Sequence, residues 1–568
     1  MERMRLPIPS LDGRAAAVSR QLAAVPDHAE VVRTLAAAGL VRPMRPSTVL
    51  AGVRALRRFG FTLGTAYAVG AVRFAAEPAV VDERGALSFA EVHRRTDAMA
   101  VGLAELGVGP GDRVGVLCRN HRGMVEALVA LAKLGADALL LNTSFAGPQL
   151  AAALRHEGAV ALIHDEEFGE LVGVAGLPQR RRVLAWEEAS RRRTRARRGT
   201  PSLERLAEAH EGAALRTPGR DGRIVVLTSG TTGTPRGATR GNPASLEPVA
   251  ALLSRMPLRL RDTTLVAAPA FHSWGLAHLM LGALLSSTLV LQRRFDPEAT
   301  VAAAVEHRAG VLAAVPVMLQ RILELPPERR AALGRPPLRV VAVSGSALPG
   351  GLATRFMDEY GEVLYNLYGS TEVAWASIAT PEDLRAAPGT AGRPPRGTVV
   401  RILDERNRAL PAGRSGRIFV GNSMVFEGYT GGGDKHRVDG LVSSGDVGRF
   451  DAAGRLFVEG RDDDMIVSGG ENVFPAEVED LLAAHPAVAE AAVAGVEDAE
   501  FGQRLAAYVV TRPGAALDAE QVRRHVRANL ARYKVPRDVV FVAALPRNAT
   551  GKVLRRALPG ITPIGSAS

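Results

Sequence analysis

The chain of 568 residues is long enough for several domains, because a single hydrophobic core stops growing at roughly 250 to 300 residues. Its composition, 47% hydrophobic and 23% charged, is that of an ordinary globular protein and excludes a disordered or collagen-like chain. Lys and Arg outnumber Asp and Glu by 71 to 59, and this net charge of +12 is compatible with nucleic acid, an anionic membrane or uneven tails.

The positive charge is concentrated in two segments. Residues 1–75 contain eleven arginines against four acidic residues, and residues 180–198 contain nine arginines against two. The rest of the chain sums to −2, so we expect no nucleic acid partner. Only four basic residues are lysines, at positions 133, 435, 534 and 552, so a lysine in a chemically suggestive place carries weight.

The N-terminal residues lack the pattern of a signal peptide, and the single cysteine, Cys118, permits no internal disulfide and no cysteine metal cluster. Both features favour a cytoplasmic protein. The apolar run of residues 59–72 is too short to span a bilayer. Residues 53–72, with Arg54, Arg57 and Arg58, indicate either an interfacial helix at the inner face of the membrane or a helix packed on the body with a solvated basic face.

The body alternates β-branched strand patterns with Ala- and Leu-rich helical patterns, which indicates βαβ units and largely parallel sheets. Strands are predicted at 113–118, 223–228, 264–268 and 338–343, and helices at 124–134, 300–307 and 317–325. Frequent glycines and short strands at 392–457 indicate a small antiparallel or barrel-like subdomain. Residues 180–198 and 200–221 are interpreted as an exposed connection.

We therefore predict an α/β fold with a large N-terminal domain and a small, mobile α+β C-terminal domain. The large domain comprises two βαβ-type subdomains and the β-barrel-like subdomain. The predicted limits are 1–75 for a basic extension, 76–461 for the large domain and 462–568 for the small one.

The strongest motif follows the strand at 224–227 and reads TSGTTGTPRG, residues 228–237. Glycines allow a close backbone approach, while successive N–H groups and hydroxyls form a cradle for phosphate oxygens. The motif is not a Walker loop, because no Gly-Lys-Ser/Thr follows at the required spacing. The sequence therefore predicts a phosphate-binding loop.

Five further motifs follow in a fixed order, and together the set resembles the adenylate-forming superfamily of acyl-CoA synthetases, peptide-synthetase adenylation domains and luciferases. They are PAFHSWG at 269–275, YGSTE at 368–372, SGD at 444–446, GRDDDMI at 460–466 with GGENVFP at 469–475, and PRNATGK at 546–552. The resemblance covers about residues 76–558 and extends to medium- and long-chain fatty acyl-CoA synthetases of actinobacterial type.

The resemblance implies that a carboxylate attacks the α-phosphate of ATP to give acyl-AMP and pyrophosphate, and that the thiol of CoA then displaces AMP. Oriented N–H groups, Mg²⁺ and a cation would bring the anions together. The residues implied for the β- and γ-phosphates are Thr228, Ser229, Gly230, Thr231, Thr232, Gly233 and Arg236. Arg236 departs from the family's lysine, which keeps the charge but replaces a point charge by a planar fork.

The resemblance also assigns residues to the nucleoside and the metal. Gly345, Ser346 and Ala347 would line one face of adenine, and Tyr368, followed by Gly369, would stack on it. Thr371 would contact the α-phosphate and Glu372 would bind Mg²⁺. Asp446 would accept the ribose hydroxyls, and Arg461 would lie near the ribose and phosphate.

The C-terminal region is implied to act in two orientations, turning about Asp463. One orientation brings Lys552, the predicted catalytic lysine, to the carboxylate and α-phosphate. The other brings Gly469, Gly470 and Asn472 to a tunnel for the pantetheine of CoA.

The acyl site is predicted to include Phe271, His272, Trp274 and Met318, although His272 has a satisfied core histidine as its alternative. The absence of a polar specificity signal, together with the basic extension, favours a medium- or long-chain fatty acid. The alternatives are an aromatic or other apolar acid, an acyl-AMP ligase that loads a carrier protein, and an inactive lipid-binding homologue. A homodimer is a further option.

Overall fold

The computed structural model describes residues 28–173, 176–188, 200–228, 236–243, 245–430, 432–462, 466–468, 471–498, 502–530, 532–548 and 551–561. Four sheets and their helices form the part of the protein that the structure describes. The helices, numbered α1 to α17, are His28–Ala37, Pro46–Phe59, Leu63–Arg73, Phe89–Glu105, Arg122–Leu134, Gly147–His156, Gly169–Gly173, Leu203–Ala209, Glu247–Leu253, Ser273–Leu284, Pro297–Glu306, Pro316–Leu323, Pro327–Leu333, Gly350–Tyr360, Pro381–Ala386, Pro475–Ala483 and Ala519–Asn529.

The first three helices belong to the basic extension. Residues 53–72 do not form one helix, because Gly60 ends α2 with φ 62° and α3 begins at Leu63. Helix α3 packs into the body, where Tyr67 is buried and Gly70 lies against Phe89. A Cβ at Gly70 would lie 2.5 Å from the Phe89 ring, so this contact requires glycine. The prediction of a helix packed on the body is therefore right for α3, whereas α2 packs against α3 on one side and leaves apolar side chains exposed on the other.

A seven-stranded sheet contains the two strands that flank the predicted phosphate loop. Its strands β3 to β8 are Arg113–Leu117, Asp137–Leu140, Ala161–Asp165, Arg182–Trp186, Ile224–Thr228 and Arg236–Thr239, and β17 is Gly428–Tyr429. The order is β17-β8-β7-β4-β3-β5-β6, and the five strands from β7 to β6 are parallel. The phosphate loop joins β7 to β8, which pair antiparallel.

An eight-stranded sheet forms the second βαβ-type subdomain. Its strands are β1 Pro78–Asp82, β2 Gly85–Ser88, β9 Thr263–Val266, β10 Thr288–Leu291, β11 Val311–Ala314, β12 Val340–Val343, β13 Leu364–Tyr368 and β14 Ser377–Ala379. They run in the order β14-β13-β12-β11-β9-β10-β1-β2 and are parallel except at the two edges. One buried cluster, including Phe89, Leu128 and Phe271, joins this sheet to the first.

A small antiparallel sheet matches the predicted barrel-like subdomain. It contains β15 Val399–Leu403, β16 Gly416–Gly421, β18 Arg437–Val438, β19 Leu441–Phe450 and β20 Leu456–Arg461. Its core includes Ile418, Val420 and Val442. The long strand β19 pairs with β16, β18 and β20, so it fixes Asp446 and Arg461 opposite each other.

The fourth sheet contains only strands that follow residue 465, with α16 and α17 packed on it. The strands are β21 Ile466–Ser468, β22 Glu471–Val473, β23 Val488–Asp498, β24 Gly502–Thr511 and β25 Asp538–Phe541. Strand β25 joins β24 in parallel, whereas the other pairs are antiparallel. The predicted α+β character of this region is thereby confirmed.

The predicted exposed connection at 180–198 and 200–221 is partly wrong. Residues 182–186 form β6, in which Val183 and Trp186 are buried, and α8 buries Leu203 and Ala207. The apolar side chains of these short runs, including Val183 and Leu203, belong to the buried cluster between the sheets, which a count of charges does not reveal. Residues 189–199 lie outside the described residues. In the described part of the chain, no helix is long and apolar enough to cross a bilayer.

Candidate functional site

The phosphate loop is described only at its two ends. Thr228 closes β7, and Arg236 opens β8 with an exposed side chain. Ser229, Gly230, Thr231, Thr232 and Gly233 lie outside the described residues. The position of a Cβ on Gly433 would be 3.7 Å from Arg236 Nη1, so the turn after β17 lies beside the arginine that replaces the family's lysine.

Tyr368 and Asp446 come from different sheets and meet at a hydrogen bond. The Tyr368 hydroxyl donates to Asp446 Oδ2 at 2.5 Å. Asp446 lies opposite Arg461 in the β19–β20 pair, and its N–H donates to Ser444 Oγ at 3.1 Å. The residues predicted for adenine and for ribose are thus brought together, with one carboxylate oxygen already bound to the tyrosine.

Burial and neighbouring cations act in opposite directions on Asp446. Desolvation raises the pKa of this half-buried carboxyl above its ordinary value, while the hydrogen bond from Tyr368 and the charge of Arg461 lower it. The charges of Lys552 and Lys435 lower it further. Burial also raises the pKa of Tyr368 well above its usual range, which keeps its hydroxyl a hydrogen-bond donor.

Two of the four lysines therefore face the same carboxylate. The Nζ of Lys435 lies 3.4 Å from the position of a Cβ on Gly445, the residue before Asp446, and Arg461 Nη2 lies 3.8 Å from it. We did not assign Lys435 from the motifs. The rarity of lysine in the chain is the sequence feature that points to Lys435.

Lys552 is held on a tight turn that contacts the large domain. The turn is closed by a bridge between Arg547 and Val553, and the Lys552 N–H donates to Asn548 Oδ1 at 2.9 Å. Gly551 has φ +79°, and a Cβ there would lie 2.6 Å from Val317 Cγ1 on α12. This orientation brings the exposed Lys552 close enough to the large domain for its charge to act on Asp446.

Glu372 is fixed by two hydroxyl groups. Ser370 Oγ donates to Oε2 at 2.8 Å, and the Tyr429 hydroxyl donates to Oε1 at 2.7 Å. Each carboxylate oxygen keeps a further acceptor position, and hard carboxylate oxygens are what Mg²⁺ prefers, so Glu372 fits a magnesium ligand. Burial and the bond to Glu372 raise the pKa of Tyr429 above its usual range, so it stays protonated.

The turn that carries Glu372 depends on Gly369. A Cβ on Gly369 would lie 2.3 Å from the Ala374 carbonyl oxygen, which no other residue tolerates. Ala374 itself has φ 59°, an uncommon conformation for a residue with a side chain. The N–H of Ala376 donates to the Tyr368 carbonyl at 2.8 Å and closes the turn.

Thr371 is linked to two residues outside its own motif. Its Oγ1 lies 3.3 Å from Ser273 Oγ, at the start of α10, and its carbonyl accepts a 2.7 Å hydrogen bond from Arg240 Nη2. Burial lowers the pKa of Arg240 to about 10, while the neighbouring Glu372 charge opposes that shift. Arg240 follows β8, so it adds a second arginine to this side of the site.

Val315, which precedes α12, lies beside the residues predicted to line adenine. Gly345, Ser346 and Ala347 follow β12, and a Cβ on Gly345 would lie 3.5 Å from Val315 Cγ1. Met318 is buried one turn further along α12. Helix α12 and the residue before it therefore contact both the residues predicted to line adenine and the turn that carries Lys552, and the helix also contains Met318.

The aromatic motif before α10 is largely buried. Trp274 donates from Nε1 to the Ala314 carbonyl at 3.0 Å, so its indole is anchored on β11. Phe271 and His272 lie with ring centroids 4.4 Å apart. Burial lowers the pKa of His272 to about 4, and its Nε2 has no hydrogen-bond partner among the described residues. The described residues therefore offer His272 Nε2 no hydrogen-bond partner, and its role in the acyl site stays a prediction.

Four predicted residues of the second orientation cannot be placed in the site. Asp463, Gly469 and Gly470 lie outside the described residues, and only the backbone of Asn472, in β22, is described. Their roles stay predictions.

Three hydrogen bonds to predicted site residues were not predicted from the motifs. Tyr429 and Ser370 donate to Glu372, and Arg240 donates to the Thr371 carbonyl. Ser370 lies inside YGSTE and was the easiest to infer. Tyr429 and Arg240 depend on the pairing of β17 with β8, which brings Gly428 opposite Thr239 and has no local sequence signal.

Comparison with known proteins agrees with this fold and site. Residues 68–430 match the family model for AMP-binding enzymes, and residues 477–552 match the model for the AMP-binding enzyme C-terminal domain. The chain belongs to the family of AMP-binding enzymes. Within it, the protein is an AMP-forming acyl-CoA ligase, a class that uses ATP, Mg²⁺ and CoA, so the predicted enzyme class, fold and cofactors are confirmed.

The similar proteins are named after different carboxylic acids. A feruloyl-CoA synthase from Amycolatopsis sp is 35% identical over 475 residues, 83% of this chain and 93% of that protein. The long-chain-fatty-acid–CoA ligase FadD13 of Mycobacterium tuberculosis is 29% identical over 479 residues, 83% of this chain and 92% of that one. The o-succinylbenzoate CoA synthetase of Bacillus subtilis, solved with its acyl-adenylate, is similar with a TM-score of 0.74, 27% identity and coverage of 88% and 98%.

Proposed function

We propose that the protein activates a medium- or long-chain fatty acid as acyl-AMP and transfers the acyl group to CoA, releasing AMP and pyrophosphate. The observation that carries this proposal is the arrangement around Asp446. The Tyr368 hydroxyl binds its carboxylate, Arg461 lies opposite in the neighbouring strand, and the charge of Lys552 acts on it. Glu372 completes the site, held by Ser370 and Tyr429.

In the first step, a carboxylate oxygen of the acid attacks the α-phosphorus of ATP, and pyrophosphate leaves. Lys552 brings its ammonium group to both anions, and Thr371 donates its hydroxyl hydrogen bond to the α-phosphate. Mg²⁺ bound at Glu372 would neutralise charge on the phosphates. Residues 228–233 and Arg236 would hold the β- and γ-phosphates. Asp446 accepts from the ribose hydroxyls through the acceptor positions that Tyr368 leaves open.

In the second step, the sulfur of CoA attacks the acyl carbonyl, its proton is lost, and AMP leaves with the electron pair of the broken C–O bond. We propose that residues 462–568 turn about Asp463 between the steps, relative to residues 76–461. Lys552 would withdraw from the site, and Gly469, Gly470 and Asn472 would border the pantetheine path.

The proposed fatty acid is supported by the apolar character of the acyl side. Phe271, Trp274 and Met318 are buried apolar or aromatic side chains, and Val315 adds a branched one. The fatty-acid ligase among the relatives supports the same substrate class. For such a substrate we propose a cytoplasmic enzyme that works near the inner face of the membrane, because long acyl chains partition into lipid.

An aromatic acid that carries a hydroxyl group is the second candidate. His272 Nε2 is a buried polar atom with no hydrogen-bond partner among the residues that the structure describes, and a hydrocarbon chain would offer it none. A phenolic hydroxyl would satisfy it, and the feruloyl-CoA synthase among the relatives supports this acid class. The choice between the two acids therefore depends on what His272 contacts.

A panel experiment tests both candidates. Purified protein, ATP and Mg²⁺ are mixed with fatty acids of increasing length or with hydroxylated aromatic acids, with and without CoA, and pyrophosphate, AMP and thioester are measured. Thioester formed from fatty acids supports the proposal. Acyl-AMP that accumulates with CoA present would indicate transfer to a carrier protein, and the absence of pyrophosphate with every acid would indicate an inactive lipid-binding homologue.

The variant His272→Phe allows the panel to distinguish a fatty acid from an aromatic hydroxy acid as the substrate. Phenylalanine keeps the ring and removes the polar atom, so kcat/KM for a fatty acid should change little. For an aromatic hydroxy acid bound by His272 it should fall by about tenfold or more, because a hydrogen bond would be lost. Trp186→Phe, a change in a buried ring of the first sheet, serves as the matched control.

A further inference from the structure

Exposed apolar side chains are concentrated in the N-terminal extension. Among the described residues, eleven large hydrophobic side chains are exposed, and eight of these lie between residues 32 and 72. They are Val32, Val41, Met44, Val49, Leu50, Val53, Leu56 and Val72, with exposures of 36% to 52%. Scattered single apolar residues are normal on a surface, but such a concentration indicates a binding face.

Four of the eight form a stripe on one face of helix α2. Val49, Leu50, Val53 and Leu56 follow the spacing at which residues lie on the same side of a helix. Two further apolar residues, Val41 and Met44, are exposed in the segment just before the helix. We call Val41, Met44 and these four residues of α2 the apolar face.

The opposite side of α2 is anchored to the protein, so the apolar face is not the result of a detached helix. Phe59 is buried, and Arg58 donates to the Leu215 carbonyl. Thr65 of α3 donates to the Ala55 carbonyl at 3.1 Å and to the Gly60 carbonyl at 2.6 Å. Helix α3 packs in turn against α10, the helix that follows the aromatic acyl motif.

The segment that carries the apolar face has charges of a single sign. Between Glu30 and Glu77 the chain has seven arginines and no acidic residue. Arg42, Arg45, Arg54 and Arg57 are exposed beside the apolar residues. A helix with apolar residues on one side and arginines beside them is the pattern of a segment that lies in the interface of an anionic bilayer.

We propose that the apolar face and these four arginines dock the enzyme on the surface of an anionic lipid bilayer. Val49, Leu50, Val53 and Leu56 enter the boundary between headgroups and acyl chains, while the guanidinium groups bind headgroup phosphates.

Charge complementarity favours lipid over the other occupants. A second copy of the chain bound through the same face would bring arginines against arginines in a symmetric contact. Residues 1–27 carry four arginines against three acidic residues, so they offer the face little negative charge. The proposed function explains why the enzyme would bind a membrane, and the docking rests on it in that respect alone. Binding to the bilayer itself requires neither substrate nor catalysis.

Vesicle co-sedimentation of the full chain, without ATP, CoA or acid, tests the proposal. Vesicles of phosphatidylcholine alone are compared with vesicles that also contain phosphatidylglycerol. We expect binding to the anionic vesicles, weakened by added salt, and little binding to the neutral ones. Arg54→Gln with Arg57→Gln should reduce the affinity by at least about tenfold, since each arginine near an anionic surface contributes about fivefold.

Leu50→Asp with Val53→Asp removes the apolar contribution, and we expect it to abolish detectable sedimentation. Matched controls are Arg406→Gln with Arg414→Gln and Val399→Asp, which change exposed residues of the small antiparallel sheet and should bind as wild type. Pyrophosphate exchange in detergent-free buffer should be the same in all variants, so a failure of docking is distinguishable from a failure of the proposed function.

Three results would overturn the proposal. Unchanged sedimentation of both docking variants would show that lipid does not use this face. A wild-type dimer by light scattering that Leu50→Asp with Val53→Asp converts to a monomer would identify a subunit interface. Faster proteolysis within residues 1–27 in that variant would show that these residues cover the face.

Discussion

The Tyr368 hydroxyl lies 2.5 Å from Asp446 Oδ2, although the two residues are 78 positions apart and belong to different sheets. Tyr368 ends β13 of the eight-stranded sheet, and Asp446 lies in β19 of the small antiparallel sheet. The bond therefore fixes the small sheet against the edge of the large one. It also couples the predicted adenine residue to the predicted ribose residue, so neither can move without the other.

Tyr368→Phe should weaken ATP binding while preserving the stacking ring. A hydrogen bond to a charged acceptor is worth about 1.5 to 3 kcal/mol, which corresponds to a rise of roughly tenfold or more in KM for ATP. The ATP dependence of pyrophosphate exchange measures it. Tyr360→Phe, in a ring stacked on Phe356 away from the site, is the control, and an unchanged KM in Tyr368→Phe would contradict the coupling.

Tyr429→Phe should raise the Mg²⁺ concentration required for half-maximal activity by about fivefold, because Glu372 loses one of the two hydroxyls that orient it. Titration of pyrophosphate exchange with Mg²⁺ at saturating ATP measures this change. Tyr533→Phe, on an exposed ring of the C-terminal region, should behave as wild type. A loss of activity that excess Mg²⁺ does not restore would instead indicate a role in folding.

Local patterns predicted the fold because each element has its own signal. The strand predicted at 113–118 is β3, and the helices predicted at 124–134 and 300–307 are α5 and α11 within a few residues. The phosphate loop, Tyr368, Glu372 and Asp446 can be predicted from the sequence because their motifs are contiguous, and the structure brings Tyr368 and Asp446 together. The motifs do not predict the neighbours of these residues, which are Tyr429, Arg240 and Lys435. Their positions depend on strand pairing and on turns that bring distant segments together.

Lys435→Gln should weaken nucleotide binding about fivefold, because it removes one of the cations that lower the pKa of Asp446 and leaves the other two. Calorimetric titration with a non-hydrolysable ATP analogue measures it. Lys534→Gln, which removes a lysine paired with Glu477 on the surface, is the matched control. Equal affinities of wild type and Lys435→Gln would remove Lys435 from the nucleotide site.

Lys552→Ala should separate the two half-reactions. Without the ammonium group, the carboxylate and α-phosphate repel each other, so acid-dependent pyrophosphate exchange should fall by at least about 100-fold. Acyl-AMP supplied ready-made should still react with CoA, since the second step is proposed to occur with Lys552 withdrawn. Lys534→Ala should leave both reactions intact, and full exchange activity in Lys552→Ala would refute the assignment.

His278 should make the free energy of unfolding sensitive to acid. It is buried in α10, where Nδ1–H donates to the Trp274 carbonyl at 3.2 Å and Nε2 has no partner among the described residues. Burial lowers its pKa from 6.5 to about 4. The unfolded chain therefore binds a proton at higher pH than the folded protein does, so the free energy of unfolding falls as the pH decreases from 6.5 towards 4.

The loss reaches about 3 kcal/mol at the lower end of this window, and His278→Leu should abolish it. Urea denaturation at several pH values between 4 and 7 measures the difference. Near pH 7 the histidine is neutral in both states, so the two proteins should differ there only by the packing change, and their curves should diverge as the pH falls. Burial also lowers the pKa of His272 to about 4. The free energy of unfolding of His278→Leu should therefore still depend on pH, but less steeply than that of the wild type. Parallel curves across the whole range would show that His278 is not buried in its neutral form.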